Sequence, residues 1–221
     1  MTDRPAAEPD FAPSGASTPI APVARSSALF ALPFVVACIA VGFVVSAFSE
    51  PAKPWLGSLI ALSLFVPAIV ELILRTALPR ALQLHYIIFI IAGPFAGSAL
   101  NVYGYIEQWD TLVHFDSGVM LAWLGMLAVR RAEERIGHPL PMWFALVVVQ
   151  MTPMAFAAAW EISEYSSDIL IGTTAQNGNG DTMSDIVAGT LGGLLAIVLL
   201  VLLRRPRSIA PHSLLRHAER V

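Results

Sequence analysis

Long apolar runs alternate with short polar connectors along this chain. Six runs stand out: about Ala28 to Phe48, Trp55 to Leu74, Leu84 to Val102, Asp110 to Val129, Met142 to Tyr165 and Thr182 to Leu203. Each approaches the ~20 residues that a helix needs to cross the hydrocarbon core. Lipid offers the backbone no hydrogen-bond partners, so runs of this length are helices. The connectors carry the matching punctuation. Ser49-Glu50-Pro51-Ala52-Lys53-Pro54 is Pro-marked, and Gln176-Asn177-Gly178-Asn179-Gly180 is turn-forming. Tyr103, Tyr105 and Trp109 mark a membrane–water interface. The pattern predicts an all-α, polytopic fold of six transmembrane helices over residues 27–203, flanked by a disordered tail (1–26) and a basic tail (204–221).

Finer spacing adds packing expectations. Gly93, Gly97 and Asn101 recur every four residues, as do Gly189 and Gly193, and small residues at that spacing let helices approach closely. Pro94 beside Gly93 predicts a kink. Glu71, four residues before Arg75, has the spacing of a helical ion pair.

Composition agrees with the pattern. The 221 residues are 56% hydrophobic and only 13% charged, with a mean hydropathy of +0.69, where a soluble domain carries roughly 25% charged residues. Cys38 is the single cysteine, so an internal disulfide and a cysteine-based zinc site are excluded; it reads as a small buried hydrophobe. The late start of the first run, with no short basic segment before it, argues against a cleaved leader.

Charge placement says more than net charge. With the N-terminus inside, the inner segments hold Arg4, Arg25, Arg75, Arg80, Arg130, Arg131, Arg135, Arg204, Arg205, Arg207, Arg216 and Arg220, which is every arginine, while the outer segments hold only Lys53. The positive-inside rule therefore puts both termini in the cytoplasm. It also accounts for the arginines without nucleic acid. The outer side carries Glu50, Glu107, Asp110, Asp116, Glu161, Glu164, Asp168, Asp181 and Asp185.

Three helices bring six of the ionisable groups to one level: Asp110, His114, Glu161, Glu164, Asp181 and Asp185. At ~100° per residue, Asp110, His114 and Ser117 share a stripe of ~60°, whereas Asp116 points away. Glu161 and Glu164 share a face, with Gln150 further in on the same stripe. Like carboxylates at close range cannot all ionise, so either several are protonated or a cation lies among them. Oxygen ligands suit Mg²⁺, Mn²⁺ or Ca²⁺, and the histidine extends the set to Zn²⁺ or Fe²⁺. Simpler roles compete. Thr182-x-x-Asp185 has the form of a capping box, and Asp181 or Asp110 suits a helix N-terminus. Glu161 and Glu164, by contrast, fall where the fifth run ends, and a helix C-terminus disfavours anions.

The same residues carry a resemblance. Asp110-x-x-x-His114-Phe115-x-x-Gly118, Trp160-Glu161-x-x-Glu164 and Gly180-Asp181-Thr182-x-x-Asp185 resemble the pattern of YjdF-type bacterial inner-membrane proteins, over about the last four runs. The Asp-x-x-x-His-Phe start and the late Asp-x-x-x-Asp are more distantly similar to VanZ-like proteins, linked to glycopeptide resistance, although Thr111 stands where those commonly carry Lys. The resemblance implies a multi-pass protein of the inner (plasma) membrane and brings no defined reaction.

The leading expectation is an extracytoplasmic-facing divalent-cation site with His114, Glu161, Asp181 and Asp185 as ligands, Asp110 orienting His114, and Glu164 as base. As an enzyme it would perform metal-assisted hydrolysis or transfer on a lipid or envelope precursor. A cation or proton transporter is the rival, but transport sites usually lie near the midplane, and only Glu71, Gln150 and His85 could continue a path inward. A structural assembly factor, its polar cluster only holding helices together, is the third class.

Overall fold

The computed structural model describes residues 19–48, 54–106 and 108–203, and among these it contains helices and no strands. In chain order they are α1 (Ile20–Ser46), α2 (Pro54–Ser63), α3 (Val66–Leu74), α4 (Arg80–Ile90), a π-helical continuation of α4 (Ile91–Ala99), α5 (Val102–Tyr105), α6 (Trp109–Ile136), α7 (Met142–Ile171) and α8 (Asn179–Leu203). Five helical stretches are long and apolar enough to cross a membrane: 20–45, 80–98, 109–136, 142–170 and 179–202. The expected tails at residues 1–18 and 204–221, and Glu50, Lys53 and Glu107, lie outside the described residues.

The second apolar run does not form one continuous helix. It breaks at Leu64-Phe65, between α2 and α3, because Pro67 sits in the first turn of α3 and has no N–H to offer the Ser63 carbonyl. The Tyr86 hydroxyl supplies the missing donor, 3.0 Å from Ser63 O. The third run also departs from a plain helix. Pro94 lies in the π-helical stretch, which widens the turn, and Asn101 falls beyond its end with a left-handed φ of 59°. The Gly93/Gly97/Asn101 face is therefore not continuous.

The first helix begins at Ile20, well before Ala28, so residues 20–26 belong to it and not to the tail. Tertiary contacts override the tail-like composition there. Arg80 donates to Ser26 Oγ at 2.6 Å, Gln83 donates to Ser27 Oγ at 3.0 Å, and the Arg80 guanidinium lies 5.0 Å from the Phe30 ring centroid. Glu71 makes no helical pair with Arg75. It turns inward, fully buried, and accepts from Leu78 N at 2.9 Å and Gln83 Nε2 at 3.2 Å, while Arg75 takes the left-handed position that ends α3.

Three apolar clusters among the described residues position the bundle, one of them Leu78, Leu82, Met120 and Leu127 between the α4 side and α6. Ala31, Val35, Leu64, Ile87 and Phe95 join α1 to the broken pair and α4. Ala122, Met126, Val129 and Val149 join α6 to α7, with α8 packed on both. The closest approach is between α6 and α8. A Cβ on Gly118 would overlap the Gly189 carbonyl oxygen, and one on Gly192 would overlap that of Phe115. Gly193 faces Pro153 and Gly189 faces Ala157, so α7 closes on the same seam. Arginines gather at the far end of this core: Arg131 and Arg135 donate to Leu74 O at 3.2 and 3.5 Å, and Arg130 and Arg131 pair with Glu134.

Candidate functional site

The glycine seam draws the first turns of α6 and α8 together, and α7 supplies the third wall. His114 lies one turn into α6, only 6% exposed, with Nε2 3.6 Å from Asp110 Oδ1 and 3.8 Å from Glu161 Oε1. Both separations are too long for direct hydrogen bonds. Asp185 of α8 completes the group, since one potential ligand atom each from Asp110, His114 and Asp185 lies within 4.8 Å of the others. Glu161 and Asp185 are 4% and 2% exposed, and Glu161 Oε1 and Asp185 Oδ1 have no hydrogen-bond partner. A buried charged oxygen without a partner is costly, so these two atoms define the site's chemistry.

The remaining acids stand around this centre. Asp181, one turn before Asp185, is half-buried and close enough to Asp110 and Glu161 for their charges to interact. Glu164 accepts from Trp160 Nε1 at 2.9 Å, which fixes it beside the cluster. Asp168 does other work. It accepts from Ala175 N at 2.8 Å and Gln176 N at 3.1 Å, and tethers the loop that returns the chain to α8. Asp116 points away as its helical position requires, and both its oxygens lie 3.0 Å from His85 Nε2. Ser117, though on the His114 stripe, donates to the His114 carbonyl oxygen at 2.7 Å.

Helix boundaries change two expectations. Helix α7 does not end near Tyr165; it continues to Ile171, and Gly172 with φ 72° stops it. Glu161 and Glu164 are thus interior residues, and the dipole argument for them lapses. Helix α8 begins at Asn179, which leaves Asp185 in its second turn, too deep to cap, and puts Thr182 inside the helix. The capping-box reading fails for that reason.

Tyr103 is the member that the sequence concealed. It looked like an interfacial aromatic, yet its ring packs so tightly on Gly97 that a Cβ there would overlap it. Its hydroxyl lies beside the Asp110 carboxyl, and burial, reinforced by the nearby Asp110, Glu164 and Asp185 carboxyls, pushes its pKa well above the ordinary value. A small residue six positions before a large one was the available signal, and it needs the Asn101 reversal to be read.

The fold and the site define a polytopic helical membrane protein with an acidic, histidine-containing pocket at one end of a three-helix core. The chain belongs to the family described as "Predicted membrane protein (DUF2238)", which matches residues 31–206. An "Uncharacterized protein" of Thermotoga maritima is 26% identical over 139 residues, covering 62% of this chain and 68% of that protein. No solved structure matches the chain.

Proposed function

We propose that Asp110, His114, Glu161 and Asp185 bind one divalent cation at the extracytoplasmic end of a six-crossing bundle in the plasma membrane. The observation that carries this reading is the pair of buried, unpartnered oxygens, Glu161 Oε1 and Asp185 Oδ1, beside His114. A cation offsets their desolvation, while the described arginines of α6 bond at the other end. The spacing fits: ligands held at ~2.0–2.6 Å from one ion lie within roughly 4–5 Å of each other, against 4.8 Å among Asp110, His114 and Asp185, and Glu161 Oε1 lies 3.8 Å from His114 Nε2. Asp110 faces the same His114 nitrogen as Glu161, so in this reading it acts as a ligand rather than as an orienting partner. Asp181 and Glu164 stand outside the ligands, Glu164 as base. The ion would polarise a phosphoryl or carbonyl oxygen or activate water, which is hydrolysis or transfer on a lipid or envelope substrate. The YjdF-type resemblance of the three motifs accords with this and adds no reaction.

The test is elemental analysis of the purified protein with a melting curve. Wild type should retain about one divalent ion, and a chelator should lower the melting temperature, since a ligand at 1,000 times its Kd stabilises by about 4 kcal/mol. Glu161→Gln and Asp185→Asn should each abolish most of the binding. A metal-free wild type, indifferent to added Mg²⁺, Mn²⁺, Ca²⁺ and Zn²⁺, sinks the proposal. Cation transport stays as the second reading because Gln150, deeper between α7 and α8, has a buried and unpaired Oε1. Uptake of the retained ion into reconstituted vesicles, abolished by Gln150→Leu, would favour it.

A further inference from the structure

A cavity of about 530 Å³ lies beside the cluster, between the α3–α4 side of the bundle and α6. That volume falls within the ~300–1,000 Å³ typical of small-molecule sites. One wall is a single face of α6, His114, Ser117, Leu121 and Leu124, and α4 provides Leu82 and Phe89 opposite. At ~1.5 Å per residue the α6 wall is about 15 Å long.

Most of the polar side chains in this wall are already committed. Ser63 Oγ donates to Ile60 O, the Tyr86 hydroxyl to Ser63 O, Ser117 Oγ to His114 O, and Gln83 Nε2 to Ser27 Oγ. What they leave is an apolar slot with one chemically active end, where His114 joins the wall of the slot to the acidic cluster. Phe156 and Trp160 of α7, which also line the slot, are 52% and 37% exposed on the outside of the bundle.

We infer that the slot holds one aliphatic chain of a bilayer lipid, with the lipid's head group at the cluster. The inference rests on the cation-site reading only for the place of the head group. Length selects the occupant. The α6 wall of ~15 Å is about half of the ~30 Å hydrocarbon core that a transmembrane segment must cross, so a helix of a second copy of this chain would overrun it, whereas a lipid chain of one leaflet spans about that half. Water is a poor occupant, because it needs polar partners that this wall has spent. The slot runs along the spanning part of α6, at the depth where lipid chains are the surrounding solvent.

Photocrosslinking decides it. The full-length protein is reconstituted in phosphatidylcholine vesicles with a trace of phosphatidic acid that carries a mid-chain diazirine, and adducts are mapped by mass spectrometry. Adducts should appear at Phe89, Leu121 and Leu124 and should saturate at lower probe than those at Leu29 and Leu195, which face outward. Leu124→Trp should remove the slot adducts while metal content is unchanged. Should that variant misfold, the wild-type map still decides, because adducts confined to outward-facing residues, or slot adducts that never saturate, overturn the inference. His114→Ala separates the two readings: the chain stays in the slot even where the metal is lost. A wild type that contains no metal yet shows saturable slot adducts retains the chain site and refutes only the head-group placement.

Discussion

At the scale of the residue, two oxygens of the site, Glu161 Oε1 and Asp185 Oδ1, are left without partners where burial should have removed them. Tyr103 differs, because its phenol meets Asp110 and closes one side of the cluster. Its raised pKa has a definite consequence. In the unfolded chain a tyrosine ionises near 10, while the folded protein keeps this proton to higher pH. The folded state therefore binds the extra proton above about pH 10, and stability falls as pH rises past that point. In protein stripped of divalent cations, Tyr103→Phe should cost roughly 0.5–1.5 kcal/mol near neutrality through the lost polar contact with Asp110, and its melting temperature should decline less than wild type between pH 9 and 11. Parallel declines would show that the phenol is not buried against the acids. The sequence named Asp110, His114, Glu161, Glu164, Asp181 and Asp185 from charge and helical stripe alone, and the structure gathers all six at one end. It could not distinguish bare oxygens from bonded ones. Asp168 and Asp181 look alike in sequence, yet Asp168 is tied to the loop backbone by Ala175 and Gln176.

At the scale of the element, small residues and prolines decide which helices meet and where they break. The apolar pattern showed each helical segment, but Pro67 splits the second, since a proline orphans the carbonyl four residues earlier and Tyr86 was not foreseeable as its donor. Ends were harder to read than existence. Helix α7 overran Tyr165 because Ile169, Leu170 and Ile171 continue an apolar helix until Gly172. The Gly189/Gly193 spacing correctly marked a packing face, but the tightest contacts belong to Gly118 and Gly192, which sit against backbone carbonyls of the facing helix. Backbone cannot move aside as a side chain can. Gly118→Ala should therefore destabilise by at least the ~1–3 kcal/mol of ordinary overpacking, and should lower metal retention, because it separates His114 from Asp185. Gly180→Ala, which meets open space, should leave both unchanged. Equal thermal stability of the two variants in detergent would mean that α6 and α8 are not in contact at this seam.

At the scale of the whole molecule, the question is how often the chain crosses and which way it faces. Among the described residues five helices are long enough on their own, so the parity turns on the broken α2–α3 pair. Its start packs with α1, and its end at Leu74 accepts from Arg131 near the C-terminus of α6. Arg80 at the start of α4 bonds to Ser26 near the start of α1. Helix α1 alone would carry the chain to the opposite end, so α2 and α3 together must bring it back. That is the sixth crossing we propose, made by two short helices with a proline between them. For direction we propose, from the positive-inside rule, that the end the arginines occupy faces the cytoplasm. With Cys38 replaced by alanine, single cysteines at Ser14, Thr76, His138 and Asn177 report both features. Asn177→Cys should react with an impermeant thiol reagent in intact cells, and Ser14→Cys, Thr76→Cys and His138→Cys only after permeabilisation. Reaction at only one of Ser14 and Thr76 would make α2–α3 a re-entrant pair and contradict the contact between Arg80 and Ser26. Reaction at Ser14, Thr76 and His138 without Asn177 would keep six crossings but turn the acidic cluster to the cytoplasm, which removes any envelope substrate from its reach.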